Sequence, residues 1–213
     1  MDFGNASEFM AGAWTTLWIS AISVMAGIPL GLGLALVRIT RTPVLTQIIG
    51  LYVSLGRATP IVTLVLFLFV VLPSAGIRVD REFAAIAALT LNTAAFNAEI
   101  WRSVYSAFPV AQIEAARAAG MTWLQYFRRI MLPQLWYSAL PALINEITTL
   151  IKASPAIAVI GVVDLTRVSA RIAANTYQPL PPLLVAGAIY MLGIYGLLRA
   201  QRAMERRAER FAG

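Results

Sequence analysis

Long apolar stretches alternate with short polar ones along this chain. Residues 14–37 carry no charge. As a helix they rise about 36 Å, enough to cross ~30 Å of hydrocarbon. Within them Gly27 and Gly31 form a small-xxx-small pair, with Pro29 between, which lets another helix approach closely. A second stretch, 48–72, is interrupted by Gly56-Arg57-Ala58-Thr59-Pro60. Pro60 removes a helical hydrogen bond and disfavours helix at Thr59, so a kinked span, or one that begins with a separate short helix, is predicted. Residues 83–103 form a third stretch. The fourth, 134–151, is the most polar, with Asn145, Glu146, Thr148 and Thr149 followed by Lys152. Such a helix needs shielding by other helices or a cavity to line. Residues 156–163 are apolar but too short to cross, which predicts a re-entrant or interfacial piece. Residues 164–171 are amphipathic, and the proline-rich stretch 177–182 leads rigidly into a fifth span, 183–198.

The pattern therefore predicts an all-α polytopic membrane protein with five transmembrane helices. It forms one domain over 1–213, with its core at 12–199. A basic tail occupies 200–213. No Gly/Ser-rich linker divides it, and no internal repeat is visible.

The polar insert at about 107–133 has its own helix signals. Pro109 suits a first helical turn, and residues 114–119 have high helix propensity, with Glu114 and Arg117 spaced i,i+3. Gly120 suits the left-handed position that ends a helix. Thr122-x-x-Gln125 reads as a capping box that starts another helix, with Trp123, Phe127 and Ile130 on one face. Pro133 marks the turn into the fourth span.

Composition sharpens this picture. Of 213 residues, 59% are hydrophobic and 13% charged, about half the charge of a soluble domain. Mean hydropathy is +0.74. With no cysteine and no histidine, Cys/His metal sites, thiol nucleophiles, Ser-His-Asp triads and disulfides are excluded. Nucleic acid is no partner despite the net charge of +7, because the basic residues cluster just beyond apolar spans. Arg38, Arg41, Arg117, Arg128, Arg129 and the tail residues Arg199, Arg202, Arg206, Arg207 and Arg210 fall on one side. Arg78, Arg81, Arg167 and Arg171, partly neutralised, fall on the other. The positive-inside rule puts the N-terminus outside and the C-terminus in the cytoplasm. Asp2 and Glu8, with no early Lys or Arg, make a cleavable signal peptide unexpected. No G-x-x-x-x-G-K-[ST] sequence is present, so no P-loop ATP site is expected.

Several polar residues fall within the spans. Asn92 and Glu99, seven apart, share a helix face. Asn145, Thr149 and Lys152 share a face of the fourth span. Glu99 either lines a path or forms an internal ion pair with Lys152 or Arg102. Arg57 and Thr59 sit at the helix break, facing a pore or anchoring the kink.

The spacing E-A-A, three residues, G, nine residues, I-x-L-P at Glu114, Ala115, Ala116, Gly120, Ile130, Leu132 and Pro133 resembles the EAA motif of ABC importer permeases. Thr16-Leu17 with Ser20, Arg57-x-Thr59-Pro60, Leu91-Asn92, Ala98-Glu99 with Arg102, Pro133-Gln134 and Val159-Ile160-Gly161 narrow the resemblance to polar amino-acid permeases of the histidine/glutamine type. It extends from about residue 12 to 199. One departure is Lys152-Ala153-Ser154-Pro155, where relatives often carry Lys-Asp-Thr-Ser or Lys-Asn-Ser-Ser.

The resemblance implies a type I ABC importer permease fold in a bacterial inner membrane. It implies a second permease, identical or paralogous, two ATP-binding subunits that carry ATP-Mg, and a periplasmic or lipid-anchored amino-acid-binding protein. The chain itself would be no enzyme and hold no cofactor or metal. Residues 111–121 would be the coupling helix, with Glu114, Ala115, Ala116, Arg117 and Gly120 meeting the ATPase. Asn92, Phe96, Glu99, Arg57, Thr59, Asn145, Thr149 and Lys152 would be the candidate path residues. An ion-coupled secondary carrier and a non-transporting scaffold are the alternatives. The first predicts repeats and more spans; the second does not need polar residues at membrane depth.

Overall fold

The computed structural model describes residues 3–40 and 42–212. Asp2 and Arg41, used above in the charge argument, lie outside them, as do the side chains of Arg206, Arg207 and Arg210. The described chain is helical: α1 (Phe3–Ile39), α2 (Pro43–Ala58), α3 (Ile61–Ser74), α4 (Arg81–Ser106), α5 (Val110–Ala118), α6 (Trp123–Tyr126), α7 (Leu132–Ala153), α8 (Leu165–Thr176) and α9 (Leu180–Ala212). A π-helical turn, Phe127–Met131, joins α6 to α7, and a 3₁₀ segment, Ser154–Ile160, extends α7.

Four helical runs are long and apolar enough to cross a membrane: Asn5–Ile39, Arg81–Ser106, Trp123–Ile160 and Leu180–Ala203. The second expected span, 48–72, is two helices, α2 and α3, bent by 113°, so of the two expectations the separate helix holds. Neither is long enough alone to cross ~30 Å. The bend exceeds a kink because Thr59 adopts φ −79°, ψ 125° and Pro60 an extended conformation before α3 begins.

α1 and α4 form the central pair. Gly27 and Gly31 let them meet: a Cβ on Gly27 would overlap the Thr93 methyl, and one on Gly31 would lie 2.5 Å from Asn97 Cβ. The inner face of α4 is correspondingly small, with Ala84, Ala85, Ala88, Ala94, Ala95 and Ala98 fully buried. Residues 156–163 have one face in the core and one outside it, where Val159 and Val163 are exposed. Ile157, Ile160 and Val162 pack into the core with Ile19, Val65, Leu89 and Leu150. Ser154 and Pro155 tighten the helix end into a 3₁₀ turn that drives these apolar side chains inward, and Gly161 closes it at φ 91°.

α8 is amphipathic as the pattern suggests. Asp164 caps it by accepting the Arg167 N–H at 2.8 Å, and Leu165, Val168 and Ile172 pack on Phe9 and Ala186. α9 then stands on the outside of the bundle, with Leu183, Leu184, Met191 and Leu192 exposed as lipid-facing side chains would be.

Candidate functional site

The polar insert folds largely as its signals indicate. Pro109 is the N-cap of α5, and Gly120 beyond its end holds φ 74°, the left-handed conformation glycine adopts without strain. α5 ends at Ala118, so the helix within 111–121 is shorter than expected. The capping box is complete: Thr122 Oγ1 accepts the Gln125 N–H at 3.4 Å, and the Gln125 amide oxygen accepts the Thr122 N–H at 2.8 Å. Trp123 and Phe127 stack at 4.9 Å.

Pro133 does not turn the chain. Lacking an N–H, it leaves the Arg129 carbonyl without an α-helical donor. The chain absorbs this with a π turn, in which the Leu132 N–H reaches back five residues to the Phe127 carbonyl. The run continues helically through it.

α5 lies against the start of α7. Ala116 is buried among Tyr126, Met131 and Leu135, and the Gln134 amide donates to Gln112 Oε1 at 2.9 Å. Of the motif residues, Ala116 thus holds α5 to its own chain. Glu114, Ala115, Arg117 and Gly120 are exposed on the outer side. Glu114 and Arg117 form no ion pair among the described residues.

Within the spans the structure separates the polar residues into three groups. The first is an ion triad. Glu99 accepts from Arg38 at 3.2 Å and from Arg102 through two nitrogens. It joins the last turn of α1 to α4, and Lys152 plays no part in it. That excludes the Glu99–Lys152 pairing and selects Arg102, with Arg38 added.

The second group holds the α2–α3 bend. Pro60 cannot donate to the Gly56 carbonyl. The Asn92 amide does so instead, at 3.0 Å. Thr59 Oγ1 donates to the Leu55 carbonyl at 2.8 Å, and Arg57 lies over the Phe96 ring, its Cζ 5.5 Å from the centroid. Asn92 and Thr59 are therefore committed to backbone groups at the break.

The third group is on α7. Asn145, Thr149 and Lys152 are exposed along one face, continuing the line of Gln134 and Ser138. A polar stripe on a spanning helix costs too much against lipid to face it, so it faces a cavity or another subunit. One residue round the helix, Glu146 is 7% exposed and accepts from Thr93 Oγ1 at 3.0 Å. Glu146 and Thr93 were not among the sequence candidates. The sequence does hold a signal for them: Thr93 lies one turn from Asn97 on the face that meets Gly27 and Gly31.

A groove of about 760 Å³ between α1, α7 and α9 is lined by apolar side chains and by Thr16, Ser20 and Tyr190. None of the candidate path residues lines it.

Among the described residues the chain is a helical bundle with four runs able to cross a membrane and a short exposed helix that Gly120 terminates, the architecture of a polytopic membrane protein. The chain belongs to the family described as binding-protein-dependent transport system inner membrane component, which it matches over residues 27–210. It is 35% identical over 199 residues to the arginine transport system permease protein ArtQ of Bacillus subtilis, covering 93% of this chain and 91% of that one. It is 31% identical to the histidine/lysine/arginine/ornithine transport system permease protein HisM of Escherichia coli, covering 92% and 87%. A solved structure described as an amino acid ABC transporter with histidines superposes with TM-score 0.90 at 31% identity, over 97% of this chain and 99% of that one. The MetNI methionine ABC transporter shares the fold, with TM-score 0.82 at 22% identity.

Proposed function

We propose that this chain is the permease subunit of an ATP-driven importer for a polar or charged amino acid. In this reading α5 is the coupling helix. The N-terminus faces outward, the C-terminal tail faces the cytoplasm, and two ATP-binding subunits dock beneath a pair of permeases. A binding protein delivers the amino acid on the other side. Glu114, Ala115, Arg117 and Gly120 meet the ATPase, which binds ATP-Mg, and Ala116 holds the helix in place. The α7 stripe of Asn145, Thr149 and Lys152, with Arg57 and Phe96 at the bend, borders the path. Glu99 serves it indirectly, by tying α1 to α4.

The observation that carries this reading is the placement of α5. It is fixed to α7 by Ala116 and the Gln112–Gln134 bond, yet turns its charged residues outward. Its position suits a push on α5 being passed directly to a spanning helix. Reconstitution with the cognate ATPase and binding protein, followed by a panel of labelled amino acids, tests it. ATP-dependent uptake of at least one polar amino acid is expected; uptake of none with all subunits assembled refutes it. Uptake by the permease alone on an ion gradient would instead support the secondary carrier.

A further inference from the structure

Arg57, like Lys152, is a charged path candidate that forms no ion pair among the described residues. It sits at the α2–α3 bend, level with Asn92 and Phe96. Those two residues lie near the middle of α4, eleven residues after Arg81 and ten before Ser106. Arg57 is exposed and forms no ion pair among the described residues. The two acids in its field are engaged elsewhere: Glu99 with Arg38 and Arg102, Glu146 with Thr93. Its guanidinium lies over Phe96, which leaves its N–H edge free. The kink does not need it either, because Asn92 already satisfies the Gly56 carbonyl.

An arginine in mid-span facing lipid is strongly disfavoured, so the side chain faces water or a ligand. A guanidinium presents two parallel N–H groups, the geometry that takes a carboxylate bidentately, and the Phe96 ring 5.5 Å from its Cζ adds a cation–π contact. Every α-amino acid offers that carboxylate whatever its side chain. We propose that Arg57, seated on Phe96, binds the α-carboxylate of the amino acid as it passes the α2–α3 bend. This rests on the amino-acid import reading and adds the group by which any such substrate is held.

The chain contains no cysteine, so Thr59→Cys places a unique thiol on it beside Arg57. The experiment measures the labelling rate of that thiol by a polar methanethiosulfonate in proteoliposomes of the complete transporter, read on the permease by mass. Arginine and glutamine are compared with agmatine and 4-aminobutanamide, which lack the carboxylate. The amino acids are expected to slow labelling at least fivefold and the amines not at all. Adding Arg57→Gln should abolish protection, and Arg57→Lys should keep part of it. Equal protection by amines overturns the assignment, as does protection that survives Arg57→Gln. So does a thiol that never reacts, or a lowered melting temperature in Arg57→Gln with protection intact. Wild-type uptake of no amino acid defeats the import reading itself, whereas uptake without carboxylate-selective protection defeats only the role given to Arg57.

Discussion

Glu99 accepts from two arginines on two helices, with about a quarter of its side chain exposed. Charged hydrogen bonds of this kind contribute roughly 1.5–3 kcal/mol. Glu99→Gln should therefore lower stability by about 1–3 kcal/mol, measured as a fall in melting temperature of the purified protein. In a double-mutant cycle, Arg38→Met and Glu99→Gln should couple by more than about 0.5 kcal/mol, while Lys152→Met and Glu99→Gln should add independently. Coupling to Lys152 would contradict the triad. Asn92→Leu should cost a similar amount, because the Gly56 carbonyl is then left without a donor. Asp164 lies outside the spanning runs and is fully buried. Burial holds its carboxyl above the ordinary aspartate range, outweighing the backbone N–H bonds it accepts. The folded state then favours the protonated form. The stability this contributes is present at low pH and lost as pH rises from the ordinary aspartate value through the raised one. Asp164→Asn keeps a good N-cap. Its melting temperature should decline less than that of the wild type as pH rises through that window.

At the scale of elements, local chemistry was legible and pairing was not. Gly120, the Thr122–Gln125 box and the Pro60 break each act within a few residues, so the sequence displays them directly. The contacts among the polar residues of the spans are distant: Asn92 with Gly56 is 36 residues apart, Thr93 with Glu146 53, and Arg38 with Glu99 61. Only the packing of α1 on α4 brings the last pair together, and no periodicity encodes it. The α2–α3 break is legible as a separate helix, but its 113° bend is not, because proline announces a break and not its angle. Gly120→Asn should keep α5 and its partner, since asparagine tolerates the left-handed conformation. Gly120→Val should strain it by about 1–2 kcal/mol or more and weaken co-purification of the ATPase. A Cβ there meets no atom within 4 Å, so the difference isolates backbone strain from crowding. Between α1 and α4 crowding decides. Gly27→Val should cost about 1–3 kcal/mol or prevent assembly, seen as loss of monodisperse protein, whereas Gly33→Val, with open space around it, should be tolerated.

At the scale of the whole molecule, the bundle is built on the tightly packed pair α1 and α4, with the other helices disposed around it. The most consequential of these runs from Trp123 to Ile160 as one helical length of 38 residues, about 57 Å at an α-helical rise. It begins beside α5 and ends in the core against α3. A rod of that length is a lever. Tilting it about its lower end by ~10° would carry the far end roughly 10 Å sideways, a displacement fixed by its length alone. The π turn at Phe127–Met131 lies next to that pivot. With its wider turn there, and with Pro141 lacking an N–H ten residues further on, the rod is weakened at two places, and a bend applied to it would concentrate at these.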